Sequence, residues 1–198
     1  MLNIAVLVSG GGTNLQAVID GVKNKEIKGG KIVLVISSNP DAYALERAYM
    51  ENINTAVIGK SVEEDPAKRS QMIIKALKEA DTDIIVLAGY MSILPETIVK
   101  EYEKRIINIH PSLIPKHCGK GFYGKKVHES VLSCGDKQSG ATVHFVDEGV
   151  DTGEIIMQEK VDVEEGDTPD SLAKRVLEVE HKILVKSINK VIRDLKNK

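Results

Sequence analysis

An amide and an imidazole stand two residues apart in the stretch RIINIHPSLIP, residues 105–115. If residues 106–110 form a strand, its side chains alternate between two faces, so Asn108 and His110 point to the same side. Pro111 favours an extended conformation for His110 and predicts that the strand ends there. A rigid, polar strand end suits catalysis. It also suits a plainer role, in which His110 ends the strand and Asn108 satisfies backbone groups of the turn.

A carboxylate further along the chain could complete this group. Acidic residues in the segment DEGVDTG, residues 147–153, are typical of turn geometry, but Asp151 is of interest if its loop faces the 106–110 strand. No serine or cysteine nucleophile accompanies these residues, so the group suits direct acyl transfer between two bound substrates. Asn108 and a protonated His110 would donate to the developing oxyanion. Asp151 would favour the charged imidazole and could relay protons between amines.

Three consecutive glycines follow the first strand of the chain. Residues 3–8, NIAVLV, are typical of a buried parallel strand, and the apolar spacing after residue 13 predicts a helix. Such a loop lets backbone N–H groups approach an anion at the helix N-terminus, which favours a substrate monophosphate. The alternative is a tight turn that binds nothing. The loop matches neither Walker A nor GxGxxG, so we infer no ATP or NAD, and an acyl donor would arrive already activated.

Strands and helices alternate along the chain. Apolar runs predict strands at residues 31–37, 55–58 and 83–88, with helices between them, and a hairpin at 140–146 and 154–163. Thr168 and Pro169 are typical of the start of a long final helix. This order predicts an α/β fold with an open, mostly parallel sheet, in which ligands bind beyond the carboxyl ends of the strands. We expect a single domain over residues 1–198.

Composition narrows the functional classes. The chain has 198 residues, 42% of them hydrophobic, which is enough for a full core without metal or disulfides. A formal net charge of -2 gives no general attraction for nucleic acid or anionic membranes, so small-molecule partners are favoured. Without an apolar run long enough to span a bilayer or a basic leader, we expect a cytoplasmic protein. Cys118 and Cys134 are expected to be reduced and non-catalytic.

Several further residues have a structural as well as a functional interpretation. In GYMSILP, residues 89–95, a loop packed on the core is favoured over the wall of a flat aromatic ligand. Glycines and basic residues at 116–126 predict a mobile surface loop near the site. His117 and His128 could be further site residues, but solvated positions in the loop or on a helix surface are favoured for both, and His144 is expected to be structural.

Four motifs together resemble the folate-dependent formyltransferase family: SGGGTNLQA, LAGYMSIL, NIHPSLIP and VHFVDEGVDTGEII. NIHPSLIP with VDTG is specific for the wider family, whereas SGGGTNLQA selects its phosphoribosylglycinamide formyltransferase branch. The resemblance spans nearly the whole chain and implies a Rossmann-like domain with a mixed sheet. It also implies formyl transfer from 10-formyltetrahydrofolate to the amine of phosphoribosylglycinamide in purine synthesis, without metal, ATP or a covalent intermediate.

The same resemblance implies roles for individual residues. Asn108, His110 and Asp151 would form the catalytic trio, with His110 as general acid and Asp151 tuning its protonation. The remaining implied contacts are Gly12, Thr13 and Asn14 for the substrate phosphate, Glu180 for the ribose, and Met91, Ser92, Ile93, Leu94, Asn108 and Asp147 for folate. The family often carries Arg where Ser92 stands, and an Arg that reaches folate lacks a clear counterpart around Pro66.

Other activities in the family are less compatible with this sequence. Formyltetrahydrofolate deformylases carry an extra N-terminal regulatory domain, and methionyl-tRNA formyltransferases an extra C-terminal RNA-binding domain. A nucleotide-binding module that uses the glycine loop is a non-enzymatic alternative, for which His110 would be dispensable. We expect a monomer or a homodimer.

Overall fold

A seven-stranded mixed sheet forms the centre of the computed structural model, which describes residues 1–197. Its strands in chain order are β1 (Leu2–Val8), β2 (Gly30–Ser37), β3 (Thr55–Val57), β4 (Ile84–Leu87), β5 (Ile106–His110), β6 (Gln138–Phe145) and β7 (Ile155–Asp162). The spatial order is β3-β2-β1-β4-β5-β6-β7, parallel from β3 to β5 and antiparallel for β6 and β7. The predicted open, mostly parallel sheet and its terminal hairpin are confirmed.

Helices cover both faces of the sheet. In chain order they are α1 (Thr13–Lys23), α2 (Tyr43–Met50), α3 (Pro66–Glu79), α4 (Glu96–Glu101), α5 (Lys125–Ser133) and α6 (Pro169–Lys196). Ile4 and Val6 of β1 belong to the core shared with α1, α2, α5 and α6, whereas Ala5 and Leu7 belong to the core shared with α3 and α4. Because the central strand is buried on both faces, its sequence is a continuous apolar run.

Local sequence signals set the starts of the two longest helices. The Thr168 hydroxyl accepts a hydrogen bond from Ser171 N–H at 3.1 Å, and Pro169 occupies the first helical position, where an N–H has no partner within the helix. Asp65 caps α3 by accepting from Ala67 N–H at 2.8 Å. Helix α6 then continues unbroken for 28 residues, so the predicted long final helix is confirmed. Across residues 1–197, none of the helices combines the length and apolar character needed to cross a membrane.

The direction in which strands are added reverses at β1. This strand pairs with β2 on one side and with β4 on the other, which creates a crevice beyond their carboxyl ends. The glycine loop follows β1, the 88–95 connection follows β4, and β5 ends beside them at His110. Strand β6 then returns antiparallel to β5, which places His144 directly opposite Asn108. The fold therefore concentrates polar side chains at one edge of the sheet.

Candidate active site

Asn108, His110 and Asp151 meet at the carboxyl end of β5. The first two come from β5 itself, whereas Asp151 comes from the connection between β6 and β7. His110 Nδ1 lies 3.6 Å from Asp151 Oδ2. The Asn108 amide donates to Asp151 Oδ1 at 3.3 Å. Tertiary folding thus brings together the amide, imidazole and carboxylate that we singled out in the sequence.

The Asp151 carboxylate occupies a strained and nearly buried position. Its φ of 58° lies in the left-handed region, and strain of this kind is common at functional sites. Its side chain is 11% exposed, and Oδ2 accepts a hydrogen bond from Gly119 N–H at 2.9 Å. Burial alone would raise the pKa of Asp151, but the His144 ring, the charge of His110 and Gly119 N–H together lower the pKa. Asp151 is therefore a carboxylate at neutral pH.

The His110 ring is oriented by a backbone carbonyl. Its Nε2–H donates to the carbonyl oxygen of His117 at 2.9 Å. Because a carbonyl only accepts, Nε2 carries a hydrogen, and Nδ1 beside Asp151 is the atom that gains or loses a proton. Burial lowers the pKa of His110, although the His117 carbonyl and the Asp151 charge act to raise it. Asp151 thus acts to raise the pKa of His110, as predicted, but the effect of burial is larger and leaves the imidazole mostly neutral at pH 7.

The amide of Asn108 is held between two acceptors. Besides Asp151, its Nδ2 lies 3.2 Å from Nε2 of His144, its partner across the sheet. His144 Nδ1 donates to the carbonyl of Phe145 at 2.8 Å, so in the neutral ring Nε2 accepts from Asn108. In the protonated ring, Nε2 instead carries a hydrogen and faces Asp151 Oδ1 at 3.5 Å. The interpretation of His144 as structural was incomplete, because this buried ring orients a residue of the trio.

A cavity of about 560 Å³, which we call the larger cavity, extends from this trio to the glycine loop. Helix α1 begins after Gly12 without a side-chain cap, so the N–H groups of its first turn are available to an anion. Thr13 and Asn14 line this end of the cavity, and Lys125 and Lys174 from α5 and α6 also line it. The cavity wall therefore combines backbone N–H groups and two lysine side chains with the carboxyl groups of Asp151, Asp170 and Glu180.

Glu180 lies in the wall of the larger cavity and is 8% exposed. Its Oε2 accepts from the Asn14 amide at 2.6 Å, while Asn14 Oδ1 is buried without a hydrogen-bond partner among the described residues. Burial raises the pKa of Glu180 to about 7, against the opposing effect of the Asn14 hydrogen bond. A carboxyl near half-protonation can donate as well as accept, which suits recognition of a hydroxyl.

A second cavity of about 110 Å³, which we call the smaller cavity, also touches Asn108 and Asp151. Its wall includes five of the six residues that we associated with folate: Ser92, Ile93, Leu94, Asn108 and Asp147. Met91 instead lines the larger cavity. Asp147 also stabilises its own loop, because Oδ1 accepts from Gly149 N–H at 3.1 Å and from the Thr152 hydroxyl at 2.6 Å.

Comparisons with known proteins show the family of the chain. Residues 2–188 match the family profile described as formyl transferase. The chain belongs to the formyl transferase family. An Escherichia coli (strain K12) phosphoribosylglycinamide formyltransferase is 40% identical over 182 residues, covering 92% of this chain and 83% of that protein. A crystal structure of glycinamide ribonucleotide transformylase 1 from Symbiobacterium toebii has a TM-score of 0.89 and 38% identity, covering 96% of this chain and 86% of that one.

Relatives in this family differ in length. The chloroplastic phosphoribosylglycinamide formyltransferase of Arabidopsis thaliana is 40% identical over 190 residues, which is 95% of this chain. The chain spans 64% of the length of that plant protein. The family match, residues 2–188, includes all seven strands and every residue that lines the two cavities.

Two histidines of this formyl transferase chain are placed differently from our expectation. His128 is 4% exposed, and burial lowers its pKa, with a smaller effect from the charge of His110. The His117 side chain is 10% exposed and contacts Ser130 and Asp136. The prediction that both are solvated was wrong, because the 111–124 connection and α5 fold back against the trio and cover them. The part of the connection at 122–124 lines the larger cavity, so its predicted position near the site is confirmed.

Sequence reasoning missed the cations of the larger cavity. Lys125 and Lys174 are separated by about fifty positions, and Lys125 also forms an ion pair of 2.8 Å with Asp170. No spacing rule links them, because they become neighbours through the packing of α5 against α6. Within residues 1–197, no three His, Cys, Asp or Glu side chains are grouped so as to hold a metal ion.

Proposed function

We propose that this chain transfers the formyl group of 10-formyltetrahydrofolate to the amine of phosphoribosylglycinamide, a step of purine biosynthesis. One observation carries the proposal: Asn108 and Asp151 belong to the walls of both cavities. A transfer without a covalent intermediate requires that donor and acceptor meet at one set of catalytic groups. The names and structures of the relatives support the same reaction. We assign the activity to a single domain, residues 1–198.

In this proposal the phosphorylated amine binds in the larger cavity. Its phosphate would accept hydrogen bonds from the backbone at Gly12, Thr13 and Asn14, where the helix dipole favours negative charge. Lys125 and Lys174, which line the same cavity, would add attraction. Glu180 would contact the ribose hydroxyls. The amine end would then reach Asn108 and Asp151.

In this proposal the ring of the folate donor reaches into the smaller cavity, which at about 110 Å³ is too small to hold the whole donor. Ile93 and Leu94 supply apolar surface for a flat ring, and the 147–151 loop closes beside it. Ser92 and Asp147 supply polar groups for the ring edge. Met91 would contact the donor only where the two cavities join, since it lies in the wall of the larger one.

The trio would act on the carbonyl of the formyl group. As the amine attacks, the Asn108 amide gives up its hydrogen bond to one of its two present acceptors. It donates instead to the developing oxyanion and stabilises the negative charge. The attacking nitrogen releases a proton, which His110 accepts at Nδ1, beside the Asp151 carboxylate. His110 then acts as general acid and delivers this proton to the leaving folate nitrogen as its bond to the formyl carbon breaks. The products are the formylated amine and tetrahydrofolate.

The decisive experiment mixes the purified chain with both substrates and no ATP. We expect stoichiometric formation of tetrahydrofolate and formylated product. Failure to form either at high protein concentration would refute the proposal, and release of free formate without the amine would instead indicate a hydrolase. His110→Ala should abolish turnover while both substrates still bind. A nucleotide-binding module would show binding alone, unaffected by this substitution.

A further inference from the structure

The His110 ring depends on a segment that contains a second histidine. His117 lies between β5 and α5, and its carbonyl oxygen accepts the hydrogen bond from His110 Nε2–H. That bond selects the tautomer of His110 and directs Nδ1 to Asp151. If this carbonyl moved, the proton could occupy the other nitrogen, and the acceptor beside Asp151 would be lost.

The His117 carbonyl is presented from an unfavourable backbone conformation. Its φ of 51° is left-handed, which glycine tolerates but which crowds the Cβ of any other residue. The following Gly119 and Gly121 also have positive φ, so the segment lacks helix or strand hydrogen bonding to maintain it. Turn hydrogen bonds, such as that from the Ser112 hydroxyl to the Lys116 carbonyl, and contacts of the His117 side chain therefore hold this backbone in place.

Two directed contacts fix that side chain. His117 Nδ1 lies 2.8 Å from Ser130 Oγ on α5, and Nε2 lies 2.7 Å from Asp136 Oδ2 in the turn after α5. The His117 hydrogen bond, followed by that of Lys116, lowers the pKa of Asp136, which is a carboxylate at neutral pH. The ring is thus tied at both nitrogens to elements outside its own segment.

We propose that His117, anchored by Ser130 and Asp136, is a positioning residue for His110. The inference rests on the proposed function, because it assigns a role in formyl transfer to a residue outside both substrate cavities. His117 and Asp136 line a separate cavity of about 450 Å³. The side chain of His117 therefore acts through its own carbonyl on His110.

A pair of substitutions at one position separates this role from simple loop stability. His117→Ala removes both anchors and leaves a residue that disfavours φ near 51°. His117→Gly removes the same anchors but readily adopts that conformation. We expect kcat to fall by about tenfold to a hundredfold in the alanine variant, as for other small displacements of catalytic groups, with KM for both substrates within about twofold. The glycine variant should recover much of the loss.

The state of His110 can be read without catalysis. Nitrogen NMR of the imidazole should show the Nε2–H tautomer in the parent protein and a mixture in His117→Ala. The pKa of His110 should also fall in that variant, because the His117 carbonyl raises it. If the protein folds but formyl transfer is never observed, these spectra still test the positioning role, so the two proposals can fail separately.

The anchor itself provides a second test and a control. Asp136→Asn keeps an acceptor for His117 and should retain most activity, whereas Asp136→Leu should reproduce His117→Ala in kcat and in the tautomer. Lys116→Met removes the exposed ion-pair partner of Asp136 and should leave kcat and the His110 tautomer unchanged. Equal losses in His117→Ala and His117→Gly, or an unaltered His110 tautomer in the alanine and leucine variants, would overturn the inference.

Discussion

His110 Nδ1 and Asp151 Oδ2 lie 3.6 Å apart at the carboxyl end of β5. This separation is longer than a hydrogen bond, which agrees with a neutral imidazole whose Nδ1 has no hydrogen to donate. Protonation of Nδ1 would create an attractive ion pair with Asp151. In the proposed reaction, this pair would receive the proton that the attacking amine releases.

Asp151→Asn should impair turnover far more than binding. The amide has nearly the same shape but removes the charge that raises the pKa of His110, so protonated His110 becomes harder to form. We expect kcat to fall by at least about a hundredfold, the lower end of general acid–base contributions. NMR titration should show a lower His110 pKa. Asp162→Asn, which lies outside both substrate cavities, serves as the control and should keep parental values; similar losses in both variants would contradict this role.

Glu180→Gln should stabilise the protein at alkaline pH. Burial raises the pKa of Glu180 from its ordinary 4.5 to about 7. Between these values the unfolded chain ionises Glu180 while the folded protein keeps it protonated, so parental stability falls as pH rises from about 4.5 to about 7. Glutamine still accepts a hydrogen bond from Asn14, but it cannot ionise and so does not lose stability as pH rises.

Urea unfolding at several pH values would measure this effect. At pH 8 the glutamine variant should exceed the parent by at most about 3 kcal/mol, and the difference should shrink as pH falls to 5. Glu178→Gln changes an exposed carboxyl on the same helix and should show little pH-dependent effect. A pH-independent difference at Glu180 would exclude the shifted pKa as its cause.

Gly12→Ala should destabilise the start of α1. A Cβ at Gly12 would lie 2.6 Å from Ala44 Cβ, and φ is 72° there. Strain and overpacking together predict a loss of about 1–3 kcal/mol in the free energy of unfolding. Gly10→Ala is the matched control, since an added Cβ meets nothing within 4 Å. Chemical denaturation would measure the stability of both variants. An equal loss of stability in the two would refute the packing argument.

His144→Leu should release the Asn108 amide. Leucine fills the buried space but cannot accept the hydrogen bond that His144 Nε2 receives from Asn108. We expect kcat to fall by about tenfold through poorer orientation of the oxyanion donor, with little change in KM for the phosphorylated amine. His144→Gln offers an amide oxygen in place of the imidazole and should restore part of the rate. Steady-state kinetics of the parent and the two variants test this prediction. A leucine variant with parental kcat would show that His144 does not contribute to the reaction.

Local patterns were sufficient for the strands and for four of the helices of this fold, but they did not predict α4 or α5. The apolar run at 3–8 predicted β1, because a central parallel strand is buried on both faces. Thr168 and Pro169 predicted the start of α6, because helix caps are satisfied by residues within one turn. Pro111 predicted the end of β5 at His110 for an equally local steric reason.

The electrostatic state of the site required the tertiary structure. The charges of His110 and Asp151 could be paired from sequence, but the burial that lowers the pKa of His110 depends on how the 111–124 connection packs. The same packing covers His117 and His128, which a basic, glycine-rich sequence suggested were solvated. Desolvation is a property of the whole enclosure around a group, and no spacing along the chain measures it.

By itself the sequence determined the alternation of strands and helices, the family and the residue types available for chemistry. Periodicity, capping and motifs depend only on residues that are close together along the chain. Only the tertiary structure decided that β6 pairs antiparallel with β5 and sets His144 against Asn108. It alone also decided that two cavities share Asn108 and Asp151. Strand pairing and loop packing bring together residues that are distant along the chain. How close their side chains come depends on how the whole core packs, which no local pattern records.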